Sequence, residues 1–141
     1  MHRVELPLQN KQPTFIGSWM IEPLALCDEV IAYFESNQGN QRKGEIGAGV
    51  SLKDKNSIDI SISPKELGLP HNAIFRTYFE SIFECYRDYV DQWPFLETLA
   101  KELHIGKFNL QRYQGGQHYQ KIHTERAGLA TLHRIFVWMT Y

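Results

Sequence analysis

Between Asn72 and Gln92 the apolar residues Ile74, Phe75, Tyr78, Phe79, Ile82, Phe83, Tyr86, Tyr89 and Val90 recur every third or fourth position, and after Gly106 the spacing changes to every second. A repeat near 3.6 residues keeps one helix face apolar and a repeat of two keeps one strand face apolar. The chain is thereby committed to a long amphipathic helix followed by strands. Asn72 is the N-cap in this reading, and Trp93-Pro94 ends the helix because a residue before proline avoids helical dihedrals. Phe95 to Leu103 then forms a further short helix.

The same reading extends upstream. Pro23 suits a first helical turn, and Leu24, Cys27, Val30, Ile31 and Phe34 place one face of a core-facing helix that runs to about Ser36. Glycines and asparagines at 37, 39, 40, 44 and 47 interrupt any period, so Asn37 to Gly49 reads as a loop. Ser57 to Ser63 alternates strictly, with Ile58, Ile60 and Ile62 on one side and Ser57, Asp59, Ser61 and Ser63 on the other. That pattern is a half-buried strand ended by Pro64. Phe108, Leu110 and Arg112 share one face of a later strand, Asn109, Gln111 and Tyr113 the other, until Gln114-Gly115-Gly116 turns the chain. Helices first and strands last is the order of an α+β domain.

Composition narrows the partners. The chain has 141 residues, 43% of them hydrophobic, with 15 Lys plus Arg against 16 Asp plus Glu, which fits one ordinary globular domain. The longest apolar run, Ile135 to Met139, is far below the ~18 residues of a spanning helix. The N-terminus lacks the basic and apolar regions of a secretion signal, so the cytoplasm is the expected compartment, with no membrane partner. A net charge of -1 supplies no surplus of basic side chains for nucleic acid. Cys27 and Cys85 form no Cys-x-x-Cys pair and read as buried thiols.

Chemistry concentrates in Phe108 to Glu125. His123-Thr124-Glu125 puts an imidazole and a carboxylate two positions apart, which diverge on a helix but project together from a strand. Tyr119, Lys121, His123 and Glu125 alternate with His118, Gln120, Ile122 and Thr124, so an extended segment is expected. Imidazole nitrogen with carboxylate oxygen suits Fe(II), Mn(II) or Zn(II). With six histidines and sixteen acids, chance alone supplies roughly 0.7 such pairs, so the pair needs its context to carry meaning. A zinc site from His118, His123, Glu125 and His133 is a separate arrangement of the same donors.

The context is Arg112-Tyr113-Gln114-Gly115-Gly116-Gln117-His118-Tyr119, then His123-x-Glu125, then Arg134-Ile135-Phe136-Val137-Trp138-Met139-Thr140-Tyr141. It resembles the first part of the catalytic domain of the prolyl 4-hydroxylase-like Fe(II)/2-oxoglutarate dioxygenases. Upstream, Leu26-Cys27-Asp28-Glu29-Val30-Ile31 and Lys55-Asn56-Ser57-Ile58-Asp59 are more loosely similar to the helical support of bacterial and phage members. The resemblance implies a fold in which N-terminal helices, 1–106, pack on the opening strands, 107–141, of a double-stranded β-helix (jelly-roll) barrel within a single domain 1–141. It makes His123 and Glu125 the first two iron ligands, glutamate standing where aspartate is commoner. It places Tyr113 and Tyr141 near the 2-oxoglutarate, with the alternative of aromatic core residues for both tyrosines.

The activity so implied is oxidative hydroxylation using Fe(II), 2-oxoglutarate and O2, with ascorbate as a reductant and peptidyl proline or a small molecule as substrate. The family's third ligand, a distal histidine, and the basic residue that pairs the far carboxylate of 2-oxoglutarate have no counterpart in these residues. A jelly roll needs about eight strands, so the chain is expected to be incomplete at its C-terminus and of low activity as it stands. The strand-like run His133 to Tyr141 is expected to form an exposed edge through which a homo-oligomer can pair. Two other classes compete: a cupin-like or hydrolytic metal protein using the same pair, and a non-catalytic interaction domain.

Overall fold

The computed structural model describes residues 2–7, 14–99 and 102–141. Two helices and several small antiparallel sheets make a mixed α and β architecture, and no sheet among the described residues closes on itself. In chain order the elements are β1 (His2–Arg3), β2 (Trp19–Met20), α1 (Ala25–Ser36), β3 (Arg42–Lys43), β4 (Glu45–Ile46), β5 (Gly49–Val50), β6 (Lys55–Asn56), β7 (Ile58–Ile62), α2 (Ala73–Gln92), β8 (Phe108–Arg112) and β9 (His118–Tyr119). Strands β3, β7 and β8 form a sheet in that order, while β1 pairs with β2, β4 with β5 and β6 with β9. No helix among the described residues is long and apolar enough to cross a membrane. The chain divides into two compact units, 1–41 with 60–110 and 42–59 with 111–141.

The first unit holds the apolar core. Phe75 is fully buried, and its ring meets Tyr33 at 4.7 Å and Phe108 at 5.5 Å, both edge-on. Phe79 closes on Phe108 at 4.9 Å, so α1, α2 and the start of β8 share one aromatic cluster. Ile60, Ile62, Leu26, Phe34, Val90 and Leu96 complete the buried set. The buried face of α1 is rotated from the expected one: Leu26 and Phe34 point inward, four-residue steps through Val30 apart, while Leu24 and Ile31 are exposed. Phe83 is likewise exposed. Cys27 and Cys85 are half-buried rather than buried thiols.

Asn72 precedes α2 as expected, but its side chain does not cap the helix. It accepts the Tyr33 hydroxyl at 2.8 Å and donates to the Glu66 carbonyl at 2.9 Å, spending its amide on α1 and on the turn before α2. Pro64 does end β7. Ser63 and Glu66 form a reciprocal capping box around the short 3-10 turn Pro64–Glu66. Phe95 to Leu103 is shorter than expected, since helical geometry is confined to the 3-10 segment Pro94–Thr98 and residues 100 and 101 lie outside the described ones.

The second unit departs more from expectation. The region 37–49 is not a plain loop, because it carries a 3-10 turn at Gln38–Asn40, still in the first unit, and then strands β3 and β4 and the start of β5, each of two residues. Runs so short show no period. Beyond β9 the expected strand through Glu125 does not form, and residues 120–141 hold turns and irregular backbone. Gln120 extends the contact by one residue, its amide donating to the Asp54 carbonyl at 3.0 Å and its side chain to the Lys53 carbonyl at 2.8 Å, and no strand follows. The run 133–141 also adopts no strand, although Ile135, Val137 and Met139 are exposed there. Strand preference is largely a preference for packing against a neighbouring strand.

Candidate functional site

The second unit brings the singled-out side chains together from its short ladder. The turn Gln114 to Gln117 closes with a 2.9 Å backbone bond, and Gly116 at φ +80 occupies a conformation that favours glycine. The turn returns the chain as β9, whose Tyr119 lies opposite Lys55 and whose His118 lies opposite Asn56. Tyr119 then stacks on His123, ring centroids 4.6 Å apart and planes 17° from parallel. His123 and Glu125 therefore converge without being on a strand: Nε2 and Oε1 are 3.5 Å apart.

Each of these two side chains is held from behind. His123 Nδ1 faces the Lys121 carbonyl at 2.9 Å, a position in which the nitrogen can only donate. In the neutral imidazole that leaves the lone pair on Nε2, the atom facing Glu125. Arg134 Nη1 donates to Glu125 Oε2 at 2.6 Å, which leaves Oε1 toward His123. Both side chains are partly open to solvent, at 40% and 36%.

Tyr113 donates to Gln111 Oε1 at 3.0 Å. Burial pushes its hydroxyl above the usual tyrosine range, a hydrogen bond with Ser57 works the other way, and Asp59, Tyr119 and Tyr141 raise it further. Tyr119 is also raised, first by burial and then by Glu125 and Asp54. Tyr113 thus keeps its proton and remains a donor. Tyr141 is fully exposed, with its hydroxyl 3.0 Å from Met139 Sδ. The sign of the pH effect follows. Above about pH 10 a tyrosine in the unfolded chain ionises, while folded Tyr113 resists up to its raised value. The stability present below that range is therefore lost as pH rises through it. Tyr113→Phe is expected to flatten the alkaline limb of a urea-midpoint against pH curve, and an unchanged limb would count against the shift.

Beneath Tyr119 lies a polar cluster. Lys55, Ser57 and Asp59 are all buried. Lys55 Nζ reaches Asp59 Oδ2 at 2.6 Å and sits 5.3 Å from the centre of the Tyr119 ring. Ser57 Oγ donates to Asp59 Oδ1 at 2.7 Å, and Gln111 Nε2 approaches Oδ2 at 3.5 Å. Gly44 allows the closure: a β-carbon there would lie 2.1 Å from Ser57 Oγ and 2.8 Å from Lys55 Cε. This corrects the expectation of a solvated polar face on β7, which holds only for Ser61, exposed on that face. The sequence signal for it is the two-residue spacing of Lys55, Ser57 and Asp59, which in extended backbone running from β6 into β7 puts a cation, a hydroxyl and a carboxylate on one side of the chain.

No family model, curated protein or solved structure matches this chain.

The donor set can be tested on its own geometry. Two ligands about 2.1 Å from one metal and about 90° apart lie about 3.0 Å from each other, so the 3.5 Å between Nε2 and Oε1 is close to that of neighbouring ligands. The pair fits a metal as two adjacent donors. Among the described residues no group of three or more His, Cys, Asp or Glu side chains could hold a metal ion. The zinc set of His118, His123, Glu125 and His133 is accordingly not assembled, and His118 Nε2 instead meets the Lys53 carbonyl at 3.1 Å.

Proposed function

We propose that this chain carries the metal-binding opening of an Fe(II)- and 2-oxoglutarate-dependent oxygenase of the prolyl 4-hydroxylase-like class, its fold belonging to a jelly-roll barrel. The observation that carries the reading is the meeting of His123 Nε2 and Glu125 Oε1, each oriented by a second contact on its other atom. A proton on Nε2 or a metal cation held by both atoms satisfies that contact, and the metal is the reading the surrounding sequence favours. The stretch 108–141, with its tyrosine, glycine turn and His-x-Glu, supports the same class.

His123 and Glu125 would hold the iron, and Tyr113 and Tyr141 would contact 2-oxoglutarate. Bound iron with 2-oxoglutarate supplies oxygen activation for hydroxylating a C–H bond, with succinate and carbon dioxide as co-products. The protein's own contribution is orientation. The Lys121 carbonyl selects the His123 tautomer, Arg134 fixes one carboxylate oxygen so that the other faces the metal position, and Tyr113 stays protonated to donate to a co-substrate carboxylate.

Titration of the 141-residue chain with Mn(II), followed by the loss of the free-ion electron paramagnetic resonance signal, tests the reading. Weak uptake of one ion is expected, tightened by 2-oxoglutarate and abolished by His123→Ala or Glu125→Ala. No uptake, or uptake indifferent to both substitutions, overturns it. Tight zinc binding that ignores 2-oxoglutarate would instead favour a cupin-like or hydrolytic metal protein.

A further inference from the structure

The cluster under Tyr119 buries a cation, a hydroxyl and a carboxylate side by side. Apolar side chains of similar volume usually serve stability at least as well as a buried ion pair, and this one adds a hydroxyl, an amide and an obligatory close approach at Gly44. Its location is more informative. Lys55 stands directly across the β6–β9 ladder from Tyr119, and Tyr119 is the ring on which His123 lies.

We propose that Lys55, Ser57 and Asp59 are positioning residues that hold Tyr119 in place and, through its ring, set the orientation of the His123 imidazole. The purpose assigned to that orientation, presenting Nε2 to a metal, rests on the oxygenase reading. Each link has a separate physical cause. Ser57 occupies one oxygen of Asp59 and leaves the other for Lys55, so the ammonium has a fixed location. A cation within about 6 Å of an aromatic centroid is attracted to the ring, and at 5.3 Å Lys55 holds Tyr119 from rotating away. The near-parallel ring of Tyr119 then covers one face of His123, leaving the imidazole to pivot only within its own plane, where the Lys121 carbonyl fixes it. Side chains behind metal ligands commonly matter in this way, and their loss weakens metal binding about 10- to 100-fold.

The test uses the full chain with 13C-labelled histidine. Ring protons of His123 are expected upfield of free imidazole because the Tyr119 ring shields them. Tyr119→Phe keeps the ring and should retain both the shift and Mn(II) affinity, whereas Tyr119→Leu should lose the shift. The double substitution Lys55→Met with Asp59→Leu removes the charges while filling the space. It is expected to move the His123 signals toward free imidazole and to weaken Mn(II) binding about tenfold or more. Wild-type His123 shifts and wild-type Mn(II) affinity in that double variant overturn the proposal. Should the double variant not fold, unchanged His123 shifts in Tyr119→Leu do the same. A wild-type chain that takes up no Mn(II) sinks the oxygenase reading alone, because the His123 shifts then still decide whether the buried cluster orients the ring.

Discussion

Truncating Phe75 to alanine is expected to destabilise the chain by about 3–5 kcal/mol, the usual cost of removing a fully buried aromatic ring. Phe75 has no solvent exposure, and its ring stands edge-on to both Tyr33 and Phe108. The substitution therefore removes apolar burial and two aromatic contacts that join α1 and β8 to α2. Against a total stability of about 5–15 kcal/mol for a typical domain, that loss is a large share. Urea unfolding followed by far-ultraviolet circular dichroism measures it through the loss of helices α1 and α2. Phe75→Leu should retain more than half of the lost stability, because most of the apolar volume is kept. A cost below about 1 kcal/mol for Phe75→Ala would mean that the cluster is not the centre of the first unit.

The same residues explain what could be read in advance. Helix α2 was legible because nine apolar positions share one period over 20 residues, and tertiary packing then buried three of them, Phe75, Phe79 and Val90, with Phe75 alone fully enclosed. Strand β7 was legible from its isoleucines. Helix α1 was legible in extent but not in its buried face, since Leu24 and Leu26 both extend an apolar stripe and the fold buries Leu26 and leaves Leu24 exposed. Strands β3 to β6 have two residues each, too few for any alternation to register. The opposite error arose at 133–141, where β-branched and aromatic residues suggested a strand that the described residues do not form.

At His123 and Glu125, the proximity of the two side chains was legible and the way they come together was not. Alternation pairs His123 and Glu125 as neighbours on a strand, whereas they converge through the stack of His123 on Tyr119 and the grip of Arg134 on Glu125. An alternating pattern cannot show this, because it reports which side of a strand a residue takes and nothing about side chains reaching across a turn. Nor could it reveal that Ser57 and Asp59 are buried. A polar residue in alternation reads as solvated unless its complement is noticed, and here the complement is Lys55, two residues before Ser57.

That complement carries the second large effect. Lys55→Met and Asp59→Leu, made singly, are each expected to cost about 3–5 kcal/mol, because either leaves an uncompensated charge in a site closed to water. The side chains are 3% and 11% exposed, so solvent does little to screen the survivor. Made together, the two substitutions leave no charge behind and should recover most of that loss, with an interaction energy of several kcal/mol in a double-mutant cycle measured by urea unfolding. Singles costing less than about 1 kcal/mol each would show that the pair is wet and easily rearranged, as exposed pairs are. The contrast between the two readouts is the informative part. A double variant that regains stability while its His123 signals move away from the wild-type position separates what the ion pair does for the fold from what it does for Tyr119. The fold can replace charge by volume; the orientation of the imidazole depends on a cation held against one ring.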